Sequence, residues 1–159
     1  MVLIKTIIFT IFIPGTVTIL VPYWLLSSAS TPFQPGPFRY FGALPLLIGV
    51  LIYCWCAWDF AFAGKGTPAP FDPPKELVVR GLYRYVRNPM YVGILSILLG
   101  EALLFASWRL FAYTAFAFVF YSLVVMLYEE PTLRQKFGES YRQYCKTVGR
   151  WIPRRAKNF

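Results

Sequence analysis

Four long apolar runs constrain the fold of this chain more strongly than any other feature of its sequence. A helix needs about 20 predominantly apolar residues to cross a bilayer, and it satisfies its own backbone hydrogen bonds in doing so. The sequence therefore predicts an all-α, polytopic integral membrane protein, a single domain over residues 1–159 with about four transmembrane helices. The predicted spans are residues 2–26, 41–63, 90–106 and 110–127.

The composition agrees with this class. Charged residues make up 14% of the chain and hydrophobic residues 57%, whereas soluble domains carry about 25% charged residues. The first run lacks a small-residue cleavage site, so we expect a retained helix rather than a signal peptide. The net charge of +9 arises beside the apolar runs, which favours anionic lipid over nucleic acid as the partner. With no histidine and three cysteines outside any metal-ligand spacing, no metal site is expected.

The distribution of basic residues predicts the orientation of the chain. Of the sixteen Lys and Arg residues, only Arg39 and Arg109 lie in the first and third connections between the runs. The other fourteen lie near the N terminus, in the loop of residues 64–88 and in the C-terminal tail. Because cytoplasmic segments carry an excess of Lys and Arg, four spans predict that both termini are cytoplasmic.

Residues 81–93, GLYRYVRNPMYVG, join a charged segment directly to the third apolar run. Arginines recur in and just before this stretch every three or four residues, which would place them on one helical face, and tyrosines are interleaved with them. These side chains are Arg80, Arg84, Arg87, Tyr83, Tyr85 and Tyr91. Pro89 disfavours helical geometry at Asn88, so we expect a break there. The break suits a polar ligand at the bilayer surface, although an ordinary cytoplasmic loop is the alternative.

Two adjacent acids, Glu129 and Glu130, follow the uncharged fourth run in the sequence YEEP. Carboxylates at this depth need cations or water, which makes them a functional hypothesis, with solvated acids at a helix end as the alternative. The tight connection at residues 107–109 predicts that the third and fourth runs form a hairpin. We therefore expect the acids to lie near Arg84 and Arg87.

The expected pocket lies beside Gly64 and Gly66, where the backbone can approach a ligand closely. Arginine binds a carboxylate through two hydrogen bonds, and glutamate accepts hydrogen bonds from an ammonium. The pocket therefore suits a zwitterionic ligand that has both groups, and the tyrosines could shield a purine or face a cation. These residues alone do not identify the ligand.

The tail is predicted to form a basic amphipathic helix over residues 131–148. Its apolar residues recur at three- and four-residue spacing, which is typical of a helix at the membrane interface. This helix could cover the loop of residues 64–88 or simply anchor the tail. Two further acids have structural explanations: Asp59 could pair with Lys65 or Arg80, and Glu101 could pair with Arg109, contact a lipid headgroup or be hydrated.

Together these motifs resemble the isoprenylcysteine carboxyl methyltransferase and phospholipid methyltransferase superfamily of membrane enzymes. The resemblance covers roughly residues 64–153 and rests on RNPMYVG, YEEP and FGESYRQYCKTVGRWIP. Isoprenylcysteine enzymes have Arg-His-Pro-x-Tyr-x-Gly, in which Asn88 here replaces the histidine. Phosphatidylethanolamine N-methyltransferases resemble the chain through Asn-Pro-Met-Tyr, Tyr-Glu-Glu-Pro and a Gly-x-Gly motif, matched by Gly64 and Gly66.

The resemblance implies an S-adenosylmethionine site on the cytoplasmic side and methyl transfer to a membrane-embedded amphiphile, such as an amino-phospholipid. The implied cofactor-binding residues are Gly64, Gly66, Tyr83, Asn88, Tyr91, Glu129 and Glu130. We add Arg87 as a partner for the cofactor carboxylate, and either glutamate could take a proton from an amine acceptor. The expected catalytic set is thus Glu129, Glu130, Arg87 and Asn88.

Three alternatives remain open from the sequence. The first is a carboxyl or thiol methyltransferase of the isoprenylcysteine type, which acceptor assays would distinguish. The second is a nicotinamide-dependent enzyme similar to the sterol reductases, which a cofactor binding screen would identify. The third is a non-catalytic membrane protein, which would bind no nucleotide-like cofactor.

Overall fold

The computed structural model describes residues 8, 10–28, 36–62, 77 and 79–154. In these residues the regular elements are helical, and an isolated parallel bridge pairs Val86 with Gly149. The α-helices are α1 (Val21–Ser27), α2 (Ala43–Phe62), α3 (Pro89–Leu104), α4 (Trp108–Val124) and α5 (Glu130–Thr147). Shorter 3-10 segments cover Gly36–Gly42 and Gly81–Arg84, and π-helical segments cover Thr16–Leu20 and Val125–Glu129.

Three helical stretches are long and apolar enough to cross a membrane, namely Thr10–Ser27, Gly36–Asp59 and Trp108–Thr147. Helix α3, at 16 residues, is a shorter apolar helix. Many large apolar side chains on α2 and α4 are exposed, as expected of a surface that contacts hydrocarbon. The prediction of an all-α, polytopic membrane protein is thus confirmed, with the third predicted span as the short one.

Helix α2 and the end of the 3-10 segment before it pack closely on α3 because glycines face each other at two points. A Cβ atom on Gly49 would lie 2.5 Å from the Gly93 carbonyl oxygen, and one on Gly42 would lie 2.6 Å from the Gly100 carbonyl oxygen. Small residues let membrane helices approach to backbone contact. Gly42 and Gly49 are seven residues apart, and so are Gly93 and Gly100. Because the earlier glycine of one segment faces the later glycine of the other, the two segments run antiparallel.

The predicted hairpin of α3 and α4 is confirmed. Its connection is tight: the Ser107 amide donates to the Ala102 carbonyl at 3.1 Å, and Ala106 adopts a positive φ of 48°. Before α3, Asn88 has non-helical torsions (φ −124°, ψ 54°) and Pro89 occupies the first turn. The break expected at Asn88 is therefore present.

The C-terminal helix begins differently from our prediction. We expected a new element from residue 131, but Glu129 and Glu130 have helical torsions, and α4 continues through Val125–Glu129 into α5. Pro131 cannot donate a backbone hydrogen bond, and it follows the π-helical segment Val125–Glu129, where the α-helical hydrogen-bond pattern is already interrupted. The break lies instead at Gly138 (φ 56°, ψ −125°), where the lack of a Cβ atom permits a positive φ.

After α5 the chain folds back toward the corner that precedes α3. We call residues 148–154 the return segment. The Arg87 amide donates to the Gly149 carbonyl at 2.9 Å, and the Arg154 amide donates to the Tyr85 carbonyl at 2.9 Å. Val148 is 1% exposed. Backbone hydrogen bonds thus fix the return segment against the residues immediately before α3.

Candidate functional site

Glu130 lies at the centre of three arginines from three parts of the chain. Arg150 donates through Nε to Oε1 at 2.7 Å and through Nη2 to Oε2 at 3.0 Å. Arg87 Nη1 lies 3.0 Å from Oε1, and Arg134 Nη2 lies 3.7 Å from Oε2. We call these four residues the arginine cluster. Because Glu130 is only 5% exposed, its charge requires such partners.

The arginine cluster carries more positive than negative charge. Three guanidinium groups surround one carboxylate, and hydrogen bonding to Glu130 raises the pKa of Arg150 above its usual value. Arg87 Nε is buried and has no hydrogen-bond partner in the described part of the chain; an unsatisfied buried donor costs about 1–3 kcal/mol. The cluster therefore suits an additional anionic group, and a carboxylate could accept a hydrogen bond from Arg87.

Glu129 has surroundings that differ from those of its neighbour. The Tyr91 hydroxyl donates to Glu129 Oε1, and the Tyr91 ring stacks on Tyr121 with centroids 4.6 Å apart. Glu129 forms no ion pair with any described residue. Within the described part of the chain, no cation thus pairs with Glu129, whereas Glu130 has three guanidinium partners.

Asn88 and Tyr83 lie close to these charged groups. The Asn88 side-chain amide donates to the Arg150 carbonyl at 3.2 Å, so it holds the return segment. Tyr83 is 7% exposed, and its carbonyl accepts from the Tyr144 hydroxyl at 2.6 Å. Burial raises the pKa of Tyr83 well above its usual value, with smaller contributions from Cys56, Tyr144 and Glu129. Tyr83 is therefore a neutral side chain of the buried core.

Other residues predicted for the site do not join it. Arg84 is exposed, and Arg80 lies 3.6 Å from Asp59 rather than near the arginine cluster. The expectation that Arg80, Arg84 and Arg87 share a helical face is wrong, because only Gly81–Arg84 is helical there and Arg80 is extended. Gly64 and Gly66, with most of the loop of residues 64–88, lie outside the described residues.

The expected pairing of Glu101 with Arg109 is also not observed. Arg109 Nη1 donates to the Ser28 carbonyl at 2.6 Å, which fastens the end of α1 to the start of α4. Glu101 Oε2 is buried without a hydrogen-bond partner. This acid lies at the end of α3 away from Arg87, so it takes no part in the site.

Sequence reasoning missed two members of the arginine cluster. Arg134 follows Glu130 by four residues, a spacing that brings side chains together on a helix and could have been recognised. Arg150 reaches Glu130 only because the return segment folds back, and the sequence contains no local signal for that reversal.

Comparison with known proteins agrees with this arrangement. The profile of the phospholipid methyltransferase family matches residues 37–140, which is more than half of the chain and includes Arg87, Glu129 and Glu130. The chain belongs to the phospholipid methyltransferase family. No solved structure matches it.

Individual relatives carry different acceptor names. The protein-S-isoprenylcysteine O-methyltransferase of Schizosaccharomyces pombe is 40% identical over 80 residues, covering 48% of this chain and 33% of the relative. The methanethiol S-methyltransferase of Pseudomonas deceptionensis is 36% identical over 77 residues, covering 48% and 28%. The methanethiol S-methyltransferase 2 of Bradyrhizobium diazoefficiens is 30% identical over 125 residues, covering 69% and 46%. The chain thus spans between about a quarter and a half of the length of these relatives.

Proposed function

We propose that this protein transfers a methyl group from S-adenosylmethionine to an amphiphilic acceptor dissolved in the membrane. One observation carries the proposal: among the described residues, Arg87 Nε is buried without a hydrogen-bond partner, and Glu129, the chain neighbour of the Arg87 partner Glu130, forms no ion pair. The methionyl part of S-adenosylmethionine presents one carboxylate and one ammonium, which complement these two groups. Membership of the phospholipid methyltransferase family supports the same donor.

The two glutamates take separate roles in this proposal. Glu129 receives the cofactor ammonium, and the Tyr91 hydroxyl orients its carboxylate. Glu130 orients Arg87 and Arg150 toward the cofactor carboxylate instead of touching the cofactor itself. Asn88 holds the return segment, and thereby Arg150, in place.

When bound, S-adenosylmethionine supplies a methyl group on a sulfonium, which the acceptor displaces in line. The protein contributes mainly by positioning the two reactants and by excluding water. The Tyr91–Tyr121 stack and the buried Tyr83 ring supply apolar surface around the charged groups.

Two cavities support an amphiphilic acceptor. A cavity of about 480 Å³ lies between α3 and α4, and its lining is mainly apolar, with Leu95, Phe118 and Trp151 among its residues. A second cavity of about 330 Å³ contains Arg87 and Arg150 and shares Trp151 with the first. An acceptor with a hydrocarbon chain and a polar head fits this succession of apolar and basic surfaces.

A second candidate acceptor is a carboxyl or thiol group on an isoprenylcysteine-type molecule. The relative from Schizosaccharomyces pombe, which is named for such an acceptor, favours it. Such a molecule also joins a hydrocarbon chain to a polar end, so the two cavities fit it as well as they fit an amino-phospholipid.

Two measurements on the purified full chain test the proposal. Calorimetry should detect S-adenosylmethionine binding to the detergent-solubilised protein, and Arg87→Lys should weaken it because a lysine cannot form the two-pronged hydrogen bond. Transfer of a labelled methyl group should then be followed with phosphatidylethanolamine, a farnesylated cysteine and methanethiol as acceptors. Absence of cofactor binding by the parent protein would refute the proposal, and the acceptor panel separates its two forms.

A further inference from the structure

Asp59 is a buried carboxylate that the site described above does not use. It lies near the end of α2 and is 5% exposed. Its Oδ2 atom is buried and has no hydrogen-bond partner among the residues that the structure describes. Its Oδ1 atom lies 3.6 Å from Nε of Arg80, whose side chain is 64% exposed. An unsatisfied buried carboxylate oxygen destabilises the folded protein unless a ligand supplies a donor.

This oxygen packs against the backbone of Gly81, in the place where a side chain at that position would lie. Gly81 has a positive φ of 56°, and a Cβ atom built on it would collide with Asp59 Oδ2 and lie 3.1 Å from Trp55 Nε1. Glycine adopts this backbone conformation without strain, and it also permits close approach to the carboxylate.

The same short helix links Asp59 to the candidate cofactor site. In the short helix Gly81–Arg84, Gly81 packs against Asp59. Tyr83 of the same helix hydrogen-bonds Cys56, which lies one turn before Asp59 on α2. Tyr83 in turn interacts electrostatically with Glu129. Tyr83 thus contacts the turn of α2 that precedes Asp59 and is also within electrostatic range of Glu129. A ligand with its amino-acid end at Arg87 and Glu129 could extend toward Asp59.

The charge at Asp59 indicates which group would bind there. Arg80 already supplies one positive charge, so Oδ2 lacks a hydrogen-bond donor rather than a second cation. A hydroxyl is such a neutral donor, and acidic side chains accept hydrogen bonds from ribose hydroxyls in dinucleotide-binding folds. We propose that Asp59 accepts a hydrogen bond from a ribose hydroxyl of the cofactor's nucleoside. This inference rests on the proposed function.

Binding of S-adenosylhomocysteine and of its 2′-deoxy and 3′-deoxy analogues tests the inference by calorimetry on the full chain in detergent. The parent protein should bind at least one deoxy analogue roughly 10- to 150-fold more weakly, because a hydrogen bond to a charged group is lost. The Asp59→Ala protein should bind S-adenosylhomocysteine more weakly than the parent does, by a similar factor. It should also bind that deoxy analogue as tightly as it binds S-adenosylhomocysteine. Arg87→Lys should lower the affinity for all three ligands and leave the affinity ratio between S-adenosylhomocysteine and the deoxy analogue unchanged.

Two outcomes overturn the inference while leaving the proposed function intact. One is equal binding of all three ligands by the parent protein, which requires no variant and is therefore independent of whether Asp59→Ala folds. The other is a folded Asp59→Ala protein that still binds the deoxy analogue more weakly than S-adenosylhomocysteine, by the same factor as the parent protein. If the parent protein binds no S-adenosylhomocysteine at all, the proposed function fails together with the inference.

Discussion

Replacing Glu130 by glutamine would remove the one negative charge inside the arginine cluster while changing the side-chain volume very little. The glutamine amide keeps one acceptor oxygen but turns a donor toward the guanidinium groups. Arg150 would lose one of its two short hydrogen bonds, and Arg87, 11% exposed in its side chain, would lose its counter-ion. Arg134 contributes little to the total because its side chain is 55% exposed.

The expected cost is large for a single substitution. Removing one partner of a buried ion pair costs about 3–5 kcal/mol, and the exposed Arg134 pair adds at most about 1 kcal/mol. The free energy of unfolding should therefore fall by about 3–5 kcal/mol. With the scaling for soluble domains of similar length, this corresponds to a fall in Tm of about 6–20 °C.

Thermal unfolding in detergent, followed by the reactivity of the buried Cys56 thiol, measures the effect. Glu139→Gln is a matched control on the same helix, because its pair with Arg142 is 3.6 Å long and both side chains are about 70% exposed. Its Tm should change by no more than a few degrees. A Glu130→Gln protein as stable as the control would show that the buried charge does not hold the arginines together.

Other substitutions test the remaining parts of the site. Glu129→Gln should weaken S-adenosylmethionine binding by about 10- to 150-fold in calorimetry and leave Tm near that of the parent; unchanged affinity would remove Glu129 from the proposed site. Truncation after Thr147 deletes the return segment, so cofactor binding should be lost while membrane insertion, followed by fractionation, persists; full binding would make the segment dispensable. Orientation can be tested with single cysteines that replace Lys75 or Arg109 in a background without native cysteines. The cysteine at position 75 should react with a membrane-impermeant reagent from the cytoplasmic side, and the one at position 109 only from the opposite side. Labelling of position 109 from the cytoplasmic side would contradict the predicted orientation.

The sequence predicted those parts of the site that depend on local sterics and on chain reversal. Pro89 restricts Asn88, so the break before α3 followed from two adjacent residues. The short connection after α3 implied an antiparallel return, which brings Glu130 back to Arg87. These inferences need no knowledge of how side chains pack.

The different contacts of Glu129 and Glu130 could not be predicted in the same way. Their directions depend on the π-helical segment Val125–Glu129, and no residue in it is a recognised signal for such a segment. The contact of Arg150 with Glu130 depends on the return segment, which is fixed by backbone hydrogen bonds distant in sequence. Such bonds form with almost any side chain, so the sequence carries little trace of them.

The paired glycines of α3 and of the segment from Gly42 to Gly49 also fix the register of these two parts of the chain. Their two contact points are seven residues apart, about 10 Å along a helix axis, and a slip of one residue would place side chains where the carbonyl oxygens of Gly93 and Gly100 now lie. Helix α3 therefore cannot slide along α2. Its 16 residues measure about 24 Å, less than the roughly 30 Å of hydrocarbon. A membrane crossing at α3 therefore needs residues beyond at least one of its ends.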